Sequence, residues 1–513
     1  MGGSGGSSAG GGGAGGTGGA GGGAACDGSP LPVLTLGVAN HLLLQGTIVT
    51  PDQVFVGEVL VVADTIVCVG PSCAADPQAS GATIIDTQGI IMPGMIDSHN
   101  HIQFDIFDGD DWAPLQAYDD HDQWTNEDRY GAMVDAKQCL NGEASCPADL
   151  PKQALGCELV KYGELKGLIA GTTSIVGAAN PADKACYGSL ARTIDQGAND
   201  MPGPKNDKVQ IATLFPSAAS ADGVCKNIHT DDDTDAYLPH VGEGKPGDAS
   251  ALAEFTTLQT INSTEPDGCL LTPETAIVHG TAFGDPEFAL LAAHGTDLVW
   301  SPRSNVFLYG AGTDYDMTTD IATVLSYGIN VSLGCDWSMG GSPNLLDEMR
   351  FADEVDEARW QILSPKDLVL MTTTNAAKVL ALDTQLGALE VGNKADITVL
   401  RGDTQKPYEA ILAATPREIR LVLVNGVALY GDVELMPVGP ASPGCETIDV
   451  CCRSKFVCVA ETGNTEKIDQ TLAQIEQALS DGLGQIDAAG KTYGPAAEHW
   501  DFSPLTPLVK CGP

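Results

Sequence analysis

The chain sets 26 Lys and Arg against 68 Asp and Glu over 513 residues. That length buries at least one large core, and that charge argues against nucleic acid or an anionic membrane surface as a partner, because both would repel it. The expected substrate is a small molecule that is not a polyanion, although an acidic surface also serves solubility alone.

In chain order, residues 1–30 come first as a coreless linker: from residue 2 to Ala25 only Gly, Ser, Ala and Thr occur. No run is long and apolar enough to span a bilayer, and Met1 leads straight into glycine without the charged and apolar regions of a signal peptide. Such a tether often separates an anchor from an exported domain. We therefore expect a signal or lipoprotein peptide upstream of Met1 and a periplasmic, surface or extracellular location, with a cytoplasmic protein as the alternative.

Residues 38–94 read as short strands (LLLQGTIVT, VFVGEVLVVADTIVCVG, ATIIDTQGIIMPG), and residues 386–432 repeat that character in ADITVL and IRLVLVNGVALYGD. Together they are expected to complete one β-sandwich across the intervening region. Between them, over 95–385, apolar strand-length runs alternate with helical periodicity: GMIDSHNH, TTSIVGAA, VQIATLFPS, DAYLPHV, TAIVHG, DLVWSPRSN and INVSLGCD. The expectation is a parallel (β/α)8 TIM barrel whose third strand, near LARTID, is the faintest. Residues 436–513 form a cysteine-rich extension in which Ile468, Leu472, Ile475 and Leu479 recur at helical spacing behind Asn464 as a candidate cap. It is expected to act as a disulfide-stapled cap without chemistry of its own.

Fifteen cysteines are many for a cytosolic enzyme, and Cys139, Cys146 and Cys157, Cys68 and Cys73, and Cys445, Cys451, Cys452 and Cys458 lie close together. None has the paired spacing of a zinc ribbon, so disulfides are expected, and the odd count leaves at least one thiol unpaired.

In DSHNH, residues two apart on a strand share a side, so His99 and His101 converge. That pair alone is weak. Its weight comes from His240, His279 and Asp336, each closing another apolar run, because the ends of barrel strands meet around one axis. The order PGMIDSHNH, GTT, HVGE, IVHG, SPRSN and LGCD resembles the amidohydrolase superfamily, particularly its cyclic-amidine deaminase and chlorohydrolase branch, over about residues 40–432.

The resemblance implies a distorted (β/α)8 barrel inserted into a β-sandwich, with His99, His101, His240 and Asp336 holding one divalent metal. Zn2+ suits an imidazole-rich hydrolytic set, and Fe2+ stays open. A bound metal would bring hydroxide within reach at neutral pH, with Asp336 as ligand and base and His279 orienting the nucleophile. By the same resemblance Glu243 shuttles a proton to the ring nitrogen or leaving group, which needs a raised carboxyl pKa.

Gln103, Phe104 and Trp112 follow the first strand and are candidates to touch a planar substrate. Arg303 would grip a carboxylate or form a structural ion pair, and Asn305 would fix the loop or a substrate edge. No lysine closes VQIATLFPS to bridge two metals. H-E-x-x-H is absent, GGSGG lies in the linker, and Asn262 opens a glycosylation sequon of little weight. The expected activity is hydrolysis of a non-peptide C–N bond in a cyclic amidine or nitrogen heterocycle. The alternatives are a small amide or imide, and an inactive exported metal-binding protein, against which Glu243 and His279 speak. A homo-oligomer stays open.

Overall fold

In a computed structural model of the chain, the described residues are 30–177, 190–195, 209–212, 217–262, 264, 268–441, 444–460, 469–493 and 499–511. The linker before Pro30, Asn464, Ile468 and the middle of the sequon lie outside them.

The flanking segments supply β1 (Val33–Thr35), β2 (Val38–Val49), β3 (Val54–Val62), β4 (Thr65–Gly70) and β5 (Ala82–Pro93). The barrel strands are β6 (Met95–Asp97), β7 (Thr172–Ile175), β8 (Arg192–Thr193), β9 (Val209–Ala212), β10 (Ala236–Val241), β11 (Ala276–His279), β12 (Asp297–Trp300) and β13 (Val331–Leu333). After them come β14 (Ile397–Leu400), β15 (Ile419–Val424), β16 (Val427–Asp432), β17 (Glu446–Asp449) and β18 (Ser454–Val457).

The flanking strands join in one ten-stranded sheet in the order β17-β18-β16-β15-β14-β5-β2-β3-β4, with β1 also on β5. The seam between the two ends of the chain is antiparallel, Ile397 opposite Pro93 and Leu400 opposite Ile90. This sheet continues past residue 432, because β17 and β18 of the cysteine-rich extension add to β16. Those two strands are four residues each and sit among cysteines, too short for an alternation to be read.

In the barrel, β6, β7 and β8 form one parallel arc and β9 to β13 another. The faint third strand near LARTID is β8. A parallel bridge between Asn100 and Asp336 brings the end of the last strand to the first. Ile96, Val176, Ile194, Val209, Leu238, Val278 and Val299 fill the interior, and Ala376, Ala377 and Val379 of the helix Thr374–Val379 pack into the same cluster. Gly177 has φ 139 and lies so near the Asn100 carbonyl that an added Cβ would fall 1.3 Å from its oxygen, so only glycine fits.

The extension's helix spans Leu472–Gly490, and its cap is Thr471, whose hydroxyl accepts from Gln474 N while Gln474 accepts from Thr471 N. Leu472, Ile475, Leu479, Leu483 and Ile486 are buried, against the helices Asp128–Asn141 and Gly156–Leu168. Disulfides join Cys68 to Cys73, Cys139 to Cys146, Cys225 to Cys269, Cys445 to Cys458 and Cys451 to Cys511. Cys335 keeps a buried free thiol. Among the described residues no helix is long and apolar enough to cross a membrane.

One buried ion pair ties barrel to sheet. Arg192 of β8 donates from Nη2 to Asp396 Oδ1 at 2.7 Å and to Asn425 Oδ1 at 2.5 Å, and Asp396 also accepts from Asn425 N at 2.9 Å. Removing one partner strands a charge in a medium that cannot solvate it. Asp396→Ala should lower the unfolding free energy in urea by about 3–5 kcal/mol, and the double variant Arg192→Met/Asp396→Leu should recover much of that loss.

Candidate active site

The strand ends set the site. His99 and His101 follow β6, His240 lies in β10, His279 closes β11, and Asp336 follows β13. Along β10, Ala236 and Leu238 face the interior and His240 continues that parity. Strict alternation after Val278 would turn His279 outward. The backbone instead enters the left-handed region there (φ 70), as it does at Asp336 (φ 65), and the His279 ring joins the cluster. Both are costly conformations for residues other than glycine, and both lie where the side chains of the site converge.

The His99 ring centroid lies 5.0 Å from that of His101, 4.6 Å from His240 and 5.2 Å from His279. Asp336 Oδ1 is 3.1 Å from His99 Nε2 and 3.3 Å from His101 Nε2. Nitrogens of His99, His101 and His240 fall within 4.8 Å of one another, as do the donor atoms of His99, His279 and Asp336. His240 Nδ1 donates to the Ala212 carbonyl at 2.8 Å, so Nε2 carries a lone pair, and that atom is buried without a hydrogen-bond partner. A buried acceptor aimed among imidazoles and a carboxylate is what a borderline-soft divalent cation would satisfy.

Electrostatics agree. Burial pulls the imidazoles of His99 and His240 below their usual range and takes His279 down to about 3, leaving neutral rings. Burial opposes ionisation of Asp336 as well, but its bonds with His101 and His99 hold it well below the ordinary carboxylate range. Glu243 behaves oppositely: burial pushes it up to about 7, eased by the nearby His121 charge and reinforced by Asp336. Tyr309 donates to Glu243 Oε1 at 2.8 Å, and Glu243 Oε2 lies 3.9 Å from His279 Nε2.

A hydrogen-bond chain fixes the His279 tautomer. Trp300 Nε1 can only donate, and it does so to Thr318 Oγ1 at 2.9 Å. The Thr318 hydroxyl then donates to Asn305 Oδ1 at 3.1 Å, so Asn305 Nδ2 donates to His279 Nδ1 at 3.1 Å. His279 is left with its proton on Nε2, toward Glu243.

A cavity of about 260 Å³ opens onto His101, His240, His279, Asp336 and Glu243, walled by Phe104, Trp124, Tyr130 and Trp337. The other substrate candidates lie outside this lining. Trp112 is 5.8 Å from both Trp124 and Trp337, behind the wall, with its indole N–H on Glu127. Gln103 is buried apart from the cavity. Arg303 turns away, its Nε on Ser342 Oγ at 2.7 Å and its guanidinium 4.4 Å over Phe351. Asn305 bears on His279 rather than on a substrate edge. Residues without a sequence signal take their place. Trp337 stands next to Asp336 and was within reach of strand-end logic. His121, Lys137 and Glu143 line the cavity from a crossover segment with no motif.

Residues 90–429 match the amidohydrolase family. The chain is 26% identical over 428 residues to a 5-methylthioadenosine/S-adenosylhomocysteine deaminase of Symbiobacterium thermophilum, covering 77% of this chain and 94% of that one. It is 24% identical over 402 residues to a 5'-deoxyadenosine deaminase of Methanosarcina mazei, covering 70% and 85%. Among solved structures, an adenosine deaminase from Xanthomonas campestris with bound zinc superposes with a TM-score of 0.54 at 17% identity, over 75% of this chain and 92% of that one. A mutant atrazine chlorohydrolase of Arthrobacter aurescens TC1, complexed with zinc and atraton, gives a TM-score of 0.58 at 17% identity over 87% and 100%. The chain belongs to the amidohydrolase family and is a metal-dependent hydrolase of carbon–nitrogen bonds other than peptide bonds.

His121 gives a pH test of the pocket. Burial works against its charge, but Glu254 at 2.7 Å, with Glu243 beyond, lifts it to about 9. A pKa raised above an unfolded value of about 6.5 stabilises the fold fully below that pH and loses the contribution as pH rises through about 9. Glu254→Gln should bring the NMR-detected midpoint of His121 down by more than a unit and remove that part of the alkaline stability loss. An unchanged midpoint would show that Glu254 does not hold the proton.

Proposed function

We propose that this chain is a zinc-dependent deaminase that replaces the exocyclic amino group of a nitrogen heterocycle, of the aminopurine kind, with oxygen. The single observation that carries this is Glu243: a protonatable carboxyl held by Tyr309 beside the histidine and Asp336 cluster, in a cavity with aromatic walls suited to a planar ring. The deaminase relatives support the choice of an amino group as the one displaced.

In this reading His99, His101, His240 and Asp336 hold one divalent metal. When bound, that metal lowers the pKa of a water toward about 7 and so supplies the nucleophile. The protein's residues do the rest. Asp336, kept ionised, takes the proton of the attacking water. His279, locked as the Nε2–H tautomer through Asn305, directs a hydrogen bond at the oxygen that adds to the amidine carbon. Glu243 enters protonated and gives its proton to the ring nitrogen as the carbon becomes tetrahedral; the proton held by Asp336 then passes to the amino group, which departs as ammonia, and the proton of the added hydroxyl returns to Glu243 as the carbonyl forms. Trp124, Tyr130 and Trp337 stack on the ring and exclude bulk water. The several disulfides support an exported enzyme.

Metal content and ammonia release on adenosine, 5'-deoxyadenosine, 5-methylthioadenosine, guanine and an aminotriazine test the assignment, with a cyclic imide as counter-substrate. Glu243→Gln should cut kcat by roughly a hundredfold to ten-thousandfold with metal retained. Asp336→Asn should lose both metal affinity and turnover. Metal-replete protein that opens the imide and leaves every amino heterocycle intact would overturn the deaminase assignment, and inactivity on all substrates would favour a metal-binding role.

A further inference from the structure

A second cavity, of about 240 Å³, lies away from the histidine cluster, where the C-terminal tail crosses the barrel rim. Lys166, from the last turn of the helix Gly156–Leu168, reaches its wall and is only 2% exposed. Among the described residues no side chain or carbonyl hydrogen bonds its ammonium and no carboxylate lies within ion-pair distance. The charge of Asp105 is the nearest compensation, and that carboxyl is itself raised by burial and engaged by Ser338 N at 3.1 Å. The other cations of the lining are paired. Lys510 sits 2.7 Å from Asp108, and Arg350 bonds Asp347 and the Ala414 carbonyl.

The rest of the wall is mixed: Ser338, Asn344, Thr415 and Thr506 are polar, while Pro343, Pro416, Pro507, Leu508 and Val509 form an apolar patch. The tail that supplies three of these is held by the Cys451–Cys511 disulfide and by Thr506, which donates to Asp108 Oδ2 at 2.6 Å and accepts from Tyr162 through its carbonyl. Around the buried ammonium stand the Tyr162 ring at 5.8 Å and the charges of Asp105, Asp108 and Asp111, but no hydrogen-bond acceptor among the described residues, and a ligand that brings one negative charge and an apolar body supplies one. A dianion would meet the carboxylates of Asp108 and Asp347, and a neutral ligand would bring no charge to Lys166.

We propose that this cavity is a binding site for a small organic monocarboxylate with a compact apolar body, its carboxylate on Lys166 and its body against the tail. It is separate from the deaminase site and does not depend on that assignment.

Calorimetric titration of the full chain with benzoate tests it, with inorganic phosphate and benzamide as comparison probes. Benzoate should bind saturably at one site. Lys166→Met should weaken it by roughly tenfold or more, as expected for loss of a charge-assisted hydrogen bond. Asp336→Asn, whose side chain meets His99, His101 and Ser304 and no residue of this cavity, should leave it unchanged. Val509→Trp fills the cavity while keeping Lys166, and it should abolish binding, so the test stands even if Lys166→Met does not fold. Absence of saturable benzoate binding, equal affinity in the Lys166 and Val509 variants, loss of binding in Asp336→Asn, or tighter binding of phosphate or benzamide would each overturn the proposal.

Discussion

Closure of the barrel and assembly of the site are the same interaction. Asp336 N donates to the His99 carbonyl at 2.9 Å, and His101 N donates to the Asp336 carbonyl at 2.6 Å. The backbone that brings the last strand to the first therefore also sets the Asp336 carboxylate against both imidazoles. Asp97 reinforces the seam from below: one oxygen accepts from His99 N and Cys335 N at 3.3 and 3.0 Å, the other from Asn100 Nδ2 at 3.0 Å. A carboxylate that accepts several backbone bonds acts as a clamp, and here it spans the two strands whose ends carry three of the four candidate ligands. The left-handed backbone at Asp336 is tolerated because this seam over-determines it.

Given that frame, the environment divides the two acids. Asp336 lies among imidazoles that bond its charged form, while Glu243 lies against aromatic and phenolic groups that leave it desolvated. One stays ionised and the other is poised to exchange a proton near neutrality, the division that the proposed reaction would need for a base and an acid in a single site. His121 modulates the second, its cation lowering Glu243 while Glu254 keeps that cation in place. The carboxyl proposed above as the proton shuttle is thereby tuned by a pair that belongs to the crossover segments rather than to the barrel.

The strand ends were legible from sequence because period-two runs ending in His or Asp leave few alternatives, and His240 follows that rule to the letter. His279 is reached by a different route: its φ departs from the strand, so the residue was identifiable and its orientation was not. The pocket wall was largely illegible. Trp124, Tyr130, Lys137 and Glu143 come from a segment with no periodic constraint linking it to the axis, and Phe104 was found only by its nearness to His101. Trp112 and Arg303 illustrate the converse: proximity in sequence to the motif residues says nothing about which way a long side chain turns once Glu127 or Ser342 offers it a bond. The strand character of the two flanking segments was legible, but their joining in one ten-stranded sheet was not, and β17 and β18 needed tertiary pairing to exist at all.

That pairing changes the standing of the extension. Its helix packs on Asp128–Asn141, which carries Tyr130 and Lys137 to the cavity, and on Gly156–Leu168. Phe502 stacks on Phe107 at 5.3 Å and beneath the Arg129 guanidinium at 4.2 Å, and Asp487 accepts from Phe502 N and Ser503 N at 2.9 and 2.8 Å. Residues 105–120 form a long connection with no regular helix or strand of its own, so its shape depends on what packs against it. Here that connection is held by the C-terminal tail, through Phe502 on Phe107, Thr506 and Lys510 on Asp108, and, just beyond it, Asp501 on Arg129, and the tail is itself fixed by the Cys451–Cys511 disulfide. Among the described residues the extension lines no part of the histidine cavity, yet the helix that carries Tyr130 to that cavity rests on it, so the shape of the pocket is set partly by a segment outside the matched family region.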